Sequence, residues 1–413
     1  MLRLCAGFLA IALSPLAVMA QTQAGNAAAP PTDTAAPATA RRQGPPPIVS
    51  PEVHADRTVV FRLRAPDAKK VTVSGEWPGG EKAMTKDDQG VWSATTDTLK
   101  PDLYTYMFSV DGLSIVDPVN GHFKTSFGSA GNSLLRVPGS SLVDPGSGPR
   151  GTVARHFYHS ALIGDDREYY VYTPPNYDPN RKEAYPVFFV LHGLGDDAAA
   201  WLNVGAANII LDNLINQGKA KPMIMVNTLG YGTPDGPRGA MGPAMIPTFA
   251  KALVEEVLPQ VEKTYHVAKD RNSRAIAGLS MGGAESLYTG LNNIDKFAYI
   301  GSFSGAFVMW PRAHPAAATP PAAGGGRGPR NMETADFEKN FPNLTAKSAS
   351  QLKLLWVACG TDDGLMGVNR QFAGWLKSKD IQFTNLEIPN YAHVWPLWRQ
   401  NLAEIAQLLF QKK

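Results

Sequence analysis

The sequence is short of cysteine, with two in 413 residues. One of them, Cys5, lies in an apolar N-terminal stretch expected to be removed. Cys359 is then left alone, and no intrachain disulfide can form. Cys359 follows the apolar run Leu354 to Ala358 and reads as a buried core residue rather than a nucleophile. An excess of charge is lacking too. The 39 Lys and Arg against 36 Asp and Glu leave a formal +3, too little to suggest a surface for nucleic acid. No group of His, Cys and carboxylates has metal-ligand spacing, so neither a metal nor another cofactor is expected. Beyond the N-terminus, no apolar run is long enough to span a bilayer.

Glycine (39) and proline (33) are plentiful and collect in a few segments. Residues 1–20 have one positive charge, an apolar run from Leu4 to Met19 and small residues at a cleavage position. They read as a secretory signal peptide, with an N-terminal anchor as the rival. The expected location is secreted or periplasmic, with no membrane contact after cleavage. Residues 21–47, rich in Ala, Pro and Thr, cannot bury much apolar surface and read as a disordered linker.

Residues 48–145 read as a small all-β sandwich. Strand-like runs such as Thr58 to Leu63, Val71 to Ser74, Val91 to Ala94, Leu103 to Phe108 and Ser133 to Val137 are separated by turn residues. Trp77, Trp92, Tyr104 and Tyr106 are available to stack on sugar rings, or else to fill the sandwich core. This domain could also shape one wall of a neighbouring cleft. Gly139 to Gly151 reads as a linker. From 152 to 413 strands and helices alternate, as in an α/β domain with a mostly parallel sheet between helices. Val187-Phe188-Phe189-Val190 is apolar without alternation, as a strand buried on both faces should be. A single long helix is expected from about Thr248 to Tyr265. Residues 313–332 form a low-complexity insertion, read as a surface loop with a lid as the alternative.

Within that domain, Gly278-Leu279-Ser280-Met281-Gly282 has the form G-x-S-x-G between the strand-like Ser273 to Ala277 and a helical pattern from Ala284. A serine on such a turn is held in a strained conformation with its hydroxyl exposed, and side chains at the flanking glycines would collide with their neighbours. A serine hydroxyl needs a base, and the base needs an orienting acid. His393 lies between the last strand-like run and the last helix, where a loop would put its ring above the sheet. Asp362 and Asp363 compete for the acid, and Asp363 is the choice here, since only one of two successive side chains should reach His393. The oxyanion hole is expected from the N–H groups of Met281 and Leu194, the latter in the glycine-bearing loop Leu191 to Asp197. His192 in that loop is expected to be structural. Trp201 and Trp395 are candidates to contact an aromatic acyl group, with packing as their rival role.

Phe61-Arg62-Leu63-Arg64-Ala65-Pro66, Val73-Ser74-Gly75-Glu76-Trp77, Gly90-Val91-Trp92 and Tyr106 to Gly112 resemble the immunoglobulin-like early-set domain of glycogen-branching and debranching enzymes, a family that includes carbohydrate-binding modules. Leu191-His192-Gly193-Leu194-Gly195-Asp196-Asp197, Gly278 to Gly283, Gly301 to Ala306 and Gly360-Thr361-Asp362-Asp363 together resemble the feruloyl-esterase and enterobactin-esterase branch of the α/β-hydrolases. That resemblance covers roughly Ala154 to Leu409. It implies Ser280 as nucleophile, Asp363 as acid and His393 as base. It implies a secreted serine esterase, most simply one that frees ferulate from plant polysaccharide. Acetylxylan and siderophore esterases are its alternatives, and a polysaccharide-binding protein is the non-enzymatic one. The implied partners are an ester on a polysaccharide, or a small aromatic ester, and carbohydrate at the N-terminal domain.

Overall fold

A computed structural model describes residues 47–127, 131–236, 242–314 and 331–411. The expected signal peptide, almost all of the N-terminal linker and most of the 313–332 insertion lie outside them. Among the described residues no helix is long and apolar enough to cross a membrane.

The first part is a sandwich of two antiparallel sheets. One holds strands Glu52–Val53, Val59–Arg64, Val91–Thr95 and Thr85–Lys86, and the other is centred on Val71–Gly75, Asp102–Val110 and Asn132–Val137. Alternation builds it, because successive side chains of a strand face opposite sides. Val59, Phe61 and Leu63 point inward while Val60, Arg62 and Arg64 remain partly exposed. The aromatics that could have stacked on sugar rings point inward too. Trp77, Trp92, Tyr104 and Tyr106 are all buried in the sandwich core. Phe61 stacks on Trp77 at 5.3 Å, and the Trp92 indole N–H donates to the Ala65 carbonyl at 2.9 Å. Of the two roles open to these rings, filling the core is the one they take, since burying them gains more than exposing them.

The second part is an eight-stranded sheet. Its strands are β1 (Thr152–Ser160), β2 (Asp165–Thr173), β3 (Val187–Leu191), β4 (Ile224–Thr228), β5 (Arg274–Gly278), β6 (Tyr299–Phe303), β7 (Leu354–Gly360) and β8 (Thr384–Ile388), in spatial order 1-2-4-3-5-6-7-8. Strands β3 to β8 run parallel, and β2 is antiparallel to both its neighbours. The unbroken apolar run of β3 serves two cores. Val187, Phe189 and Leu191 enter one, and Phe188 and Val190 the other. Helices α1 (Ala207–Asn216), α2 (Met245–Ala252), α3 (Met281–Asn292), α4 (Met366–Ser378) and α5 (Trp395–Leu408) pack on the two faces.

Two expectations change. The long helix from Thr248 is interrupted after α2 by a π turn, Leu253–Val257, before α-helix resumes at Leu258–Thr264. Pro259 is the cause we assign. It has no N–H for an i−4 carbonyl and its ring crowds that carbonyl, and the wider turn makes room. The Gly139–Gly151 stretch is not a free linker. The Asn213 side chain on α1 donates to the carbonyls of Ser141, Leu142 and Asp144 and accepts from the Gly146 N–H at 3.0 Å. Asp212 beside it accepts from the Gly151 N–H at 2.9 Å.

Sandwich and sheet domain form one compact unit, 48–411 among the described residues. A buried ion pair joins them. Arg399 of α5, wholly buried, donates through Nε to Asp102 Oδ1 at 3.0 Å, through Nη1 to the Val204 carbonyl at 2.8 Å, and through Nη2 to the Leu103 carbonyl. Removing one partner of a buried pair strands the other charge. Arg399→Ala is therefore expected to cost about 3–5 kcal/mol, read from the denaturation midpoint in guanidinium chloride. A loss within 1 kcal/mol, roughly the worth of an exposed pair, would show that water reaches the interface.

Candidate active site

Strand β5 ends at Gly278, and α3 begins at Met281. The turn between them puts Ser280 at φ +54°, ψ −116°. A non-glycine residue rarely adopts a positive φ and keeps it only where its surroundings impose it. Here they do. The Ser280 N–H donates to the Phe303 carbonyl at 2.8 Å, and its own carbonyl accepts from the N–H groups of Ala306 at 2.8 Å and Ala284 at 3.1 Å. Glycine at 282 is a steric requirement, since a Cβ there would lie 2.5 Å from the carbonyl oxygens of Leu191 and His192.

The loop after β8 carries His393, and the loop after β7 carries the two aspartates. Asp363 is the one that reaches. Its Oδ2 lies 2.7 Å from His393 Nδ1, while its Oδ1 accepts from the Leu365 N–H at 2.8 Å. Asp362 is exposed, its carboxylate bonded to the neighbouring Thr361 hydroxyl. Burial pushes the Asp363 carboxyl up, but the hydrogen bond and charge of His393, the Leu365 N–H and the Ser304 hydroxyl outweigh it and hold the group below the usual carboxylate range. An ionised Asp363 can only accept, so His393 Nδ1 carries the proton and Nε2 is left as the acceptor. The imidazole sits edge-on to Trp398 at 4.7 Å.

Ser280, His393, Leu279, Gly193, Leu194, Trp395 and Trp398 line one cleft of about 180 Å³. The Met281 N–H opens α3 and has no intrahelical acceptor, as the first position of any helix does not. No described hydrogen bond uses the Leu194 N–H. Its loop lies against the elbow, because a Cβ on Gly193 would be 2.6 Å from the Leu279 side chain and 3.4 Å from the Ser280 Cβ. Tyr231 braces the loop. Its hydroxyl accepts from the Gly195 N–H at 2.8 Å and donates to the Asp196 carbonyl at 3.0 Å. His192 is buried and braced at both nitrogens, Nδ1 by the Gly193 carbonyl at 2.8 Å and Nε2 by the Gly230 N–H at 2.9 Å. It is committed to structure.

Of the two tryptophans assigned to the acyl group, Trp201 is not in the cleft. It is fully buried, with its Nε1–H donating to the Leu191 carbonyl at 2.8 Å. A buried indole N–H needs such a partner, and satisfying it turns the ring into the core. Trp395 lines the cleft but is only 3% exposed, packed edge-on between Trp201 at 5.2 Å and Trp398 at 5.4 Å. Cys359 is buried beneath the site, and burial pushes its thiol up to about 12, which suits a core residue.

Three cleft residues come from the sandwich: Glu76, Thr105 and Lys124. Lys124 pairs with the buried Asp196 of the loop 191–197, and the Phe127 N–H donates to the Gly195 carbonyl at 2.8 Å. The sandwich thus shapes one wall of the cleft, as the sequence allowed, although sequence reading assigned none of these three residues to it. Glu76 follows the strand end at Gly75 in a bend before Trp77, a place where a carboxylate usually faces solvent, so spacing gave no signal for it.

Behind the elbow, Glu285 of α3 is completely buried. Among the described residues neither of its carboxylate oxygens has a hydrogen-bond partner. Burial raises its carboxyl well above the ordinary range, opposed only by the charge of Arg167. A carboxyl raised on folding contributes stability that is fully present below its unfolded value, about 4.3, and lost as pH rises toward the folded one. Glu285→Gln removes that loss. The variant is expected to match wild type near pH 4 and to exceed it by roughly 1–3 kcal/mol at about pH 8, measured by denaturation at both values. An advantage that shrinks as pH rises would contradict it.

The family model described as "Putative esterase" matches residues 160–409, and that of carbohydrate-binding module 48 (isoamylase N-terminal domain) matches residues 49–121. An endo-1,4-beta-xylanase/feruloyl esterase of Xylanibacter ruminicola is 30% identical over 370 residues, 87% of this chain and 46% of that protein. The chain thus spans about half the length of that relative. Two solved structures share the fold. An enterobactin esterase of Shigella flexneri has a TM-score of 0.62 at 19% identity, covering 85% of this chain and 92% of its own. A ferulic acid esterase of Anaeromyces mucronatus has a TM-score of 0.52 at 23% identity, covering 66% and 96%. With its elbow, its strand order and a family match over more than half its length, the chain belongs to the Esterase family, as an α/β-hydrolase domain preceded by a β-sandwich.

Proposed function

We propose that the protein is a secreted serine carboxylesterase that releases hydroxycinnamate from plant cell-wall polysaccharide. The observation that carries the reading is the Asp363–His393 pair at 2.7 Å facing the cleft that Ser280 also lines. The likeness to a xylanase/feruloyl esterase over most of the chain supports the choice of acyl group. Ser280 Oγ attacks the ester carbonyl while His393 Nε2 takes its proton. The N–H groups of Met281 and Leu194 hold the developing oxyanion. His393 then gives the proton to the leaving sugar oxygen, freeing the alcohol and leaving an acyl-serine. Water, deprotonated by the same nitrogen, attacks that acyl group, releases the acid and restores the hydroxyl.

The test is turnover of methyl ferulate, 4-nitrophenyl acetate and a cyclic catechol trilactone by the same preparation. The expected result is the highest kcat/KM on methyl ferulate. Acetate as the only good substrate would move the reading to acetylated polysaccharide. Preference for the trilactone would move it to siderophore hydrolysis. No turnover of any of the three would favour a binding protein.

A further inference from the structure

Helix α5 begins two residues after His393, so whatever fixes the first turn of α5 fixes the loop that carries the base. A helix leaves its first N–H groups without intrahelical acceptors, and a side chain of the residue before the helix commonly supplies one. This helix cannot use that device. Its N-cap is Val394, whose side chain has no acceptor, and proline occupies position 396. The missing acceptor comes from the other domain. Glu76 Oε1 accepts from the Trp395 N–H at 2.8 Å across 319 residues of sequence. Its Oε2 accepts from the Thr105 N–H of the sandwich at 2.7 Å. A carboxylate at this end of a helix also meets the positive end of the helix dipole. One turn further along, Arg399 is tied to Asp102 of the same sandwich.

We infer that Glu76 is a positioning residue for catalysis: the β-sandwich supplies the cap that holds α5, and through it the His393 loop, in register with Ser280. The inference rests on the esterase reading above. It gives the sandwich a part in the chemistry that is separate from any carbohydrate it binds. Thr105 and Trp395 each lose a partner if Glu76 is shortened. The first part of the loop 390–394 stays tied, the Asn390 N–H donating to the Thr361 hydroxyl at 3.1 Å and the Asp362 N–H to the Tyr391 carbonyl at 3.0 Å. The His393 ring itself is then oriented by the Asp363 bond and the packing on Trp398.

The experiment compares full-length wild type, Glu76→Ala and Glu76→Gln. In each, kcat and KM are measured on 4-nitrophenyl acetate, together with hydrogen exchange of peptides covering residues 390–398. Glu76→Ala is expected to lose roughly ten- to hundredfold in kcat, the scale of an ångström of misplacement. KM should stay within about twofold, because the group displaced is the base, which acts on the proton in the transition state and does not hold the ground-state ester. Exchange should rise across 390–398 and not in the elbow peptide. Glu76→Gln keeps an oxygen for the Trp395 N–H but loses the charge and sets its NH2 against the Thr105 N–H, so its kcat and its exchange at 390–398 should fall between those of wild type and Glu76→Ala. If Glu76→Ala fails to fold, the Gln variant carries the test, with slower turnover than wild type and raised exchange at 390–398 expected from its lost charge. Unchanged kcat and exchange in the variants that fold would overturn the inference. So would a rise in KM at constant kcat, which would make Glu76 a substrate contact. A wild type without esterase activity would refute the functional reading instead, and the exchange data would still decide the cap.

Discussion

Ser280→Ala should abolish ester hydrolysis, with kcat falling roughly ten-thousand- to million-fold, the range for removal of a triad serine. The geometry separates this effect from damage to the fold. The strained φ of +54° is imposed by backbone bonds to Phe303, Ala306 and Ala284, which alanine makes equally well. Among the described residues no hydrogen bond uses the Ser280 hydroxyl, so its removal strands no buried partner. Wild type and variant should therefore unfold within about 0.5 kcal/mol of each other. The decisive readout is the acyl-enzyme burst with 4-nitrophenyl acetate, one equivalent for wild type and none for the variant. A variant that kept its burst would place the nucleophile elsewhere.

Asp363→Asn should cost about ten-thousand-fold in kcat, although it changes one atom. An ionised carboxylate accepts the His393 Nδ1 proton at 2.7 Å. An amide can offer its NH2 instead, which favours the tautomer with the proton on Nε2, aimed at the serine it should deprotonate. Asp362→Asn is the internal control. That side chain is exposed and away from the imidazole, so turnover should stay near wild type. The reverse pattern, with Asp362→Asn inactive and Asp363→Asn active, would exchange their roles. Stability gives a second readout. Asp363 is held below its ordinary range, so its contribution is present above the unfolded value of about 3.9 and is lost as pH falls through the folded one. The gap between Asp363→Asn and wild type should be widest near neutrality and close in acid.

The parts of this molecule that sequence conveys are those written in local spacing. The elbow is one, because a serine between glycines at a strand-to-helix junction has few other uses. Strand β3 is another, since only a strand covered on both faces carries five apolar residues in succession. Chain order from elbow to aspartate to histidine then narrowed the acid and base to a few residues. The rest depends on contacts that spacing does not encode. Trp201 follows the loop 191–197 closely in sequence, yet the acceptor for its indole N–H is the Leu191 carbonyl inside the sheet, and that turns the ring inward. The sandwich aromatics alternate as sugar-stacking residues would, but alternation gives two faces and not which one meets solvent. Pro259 was visible, and its relief by a π turn was not. Glu76 was the least legible, since its partner lies 319 residues away and no motif spans such a distance.

The clamp between Asp102 and Arg399, residues 297 apart, also bears on how the chain is made. Synthesis delivers the sandwich first, and Arg399 of α5, the partner of Asp102, follows 297 residues later. Contacts so distant in sequence form late, because a long loop must close before they contribute. The sandwich is then a finished surface waiting for α5, and the His393 loop is not held in place until that helix docks. The arrangement around His393 is therefore set only after α5 has been made and has docked, however early the sandwich itself folds.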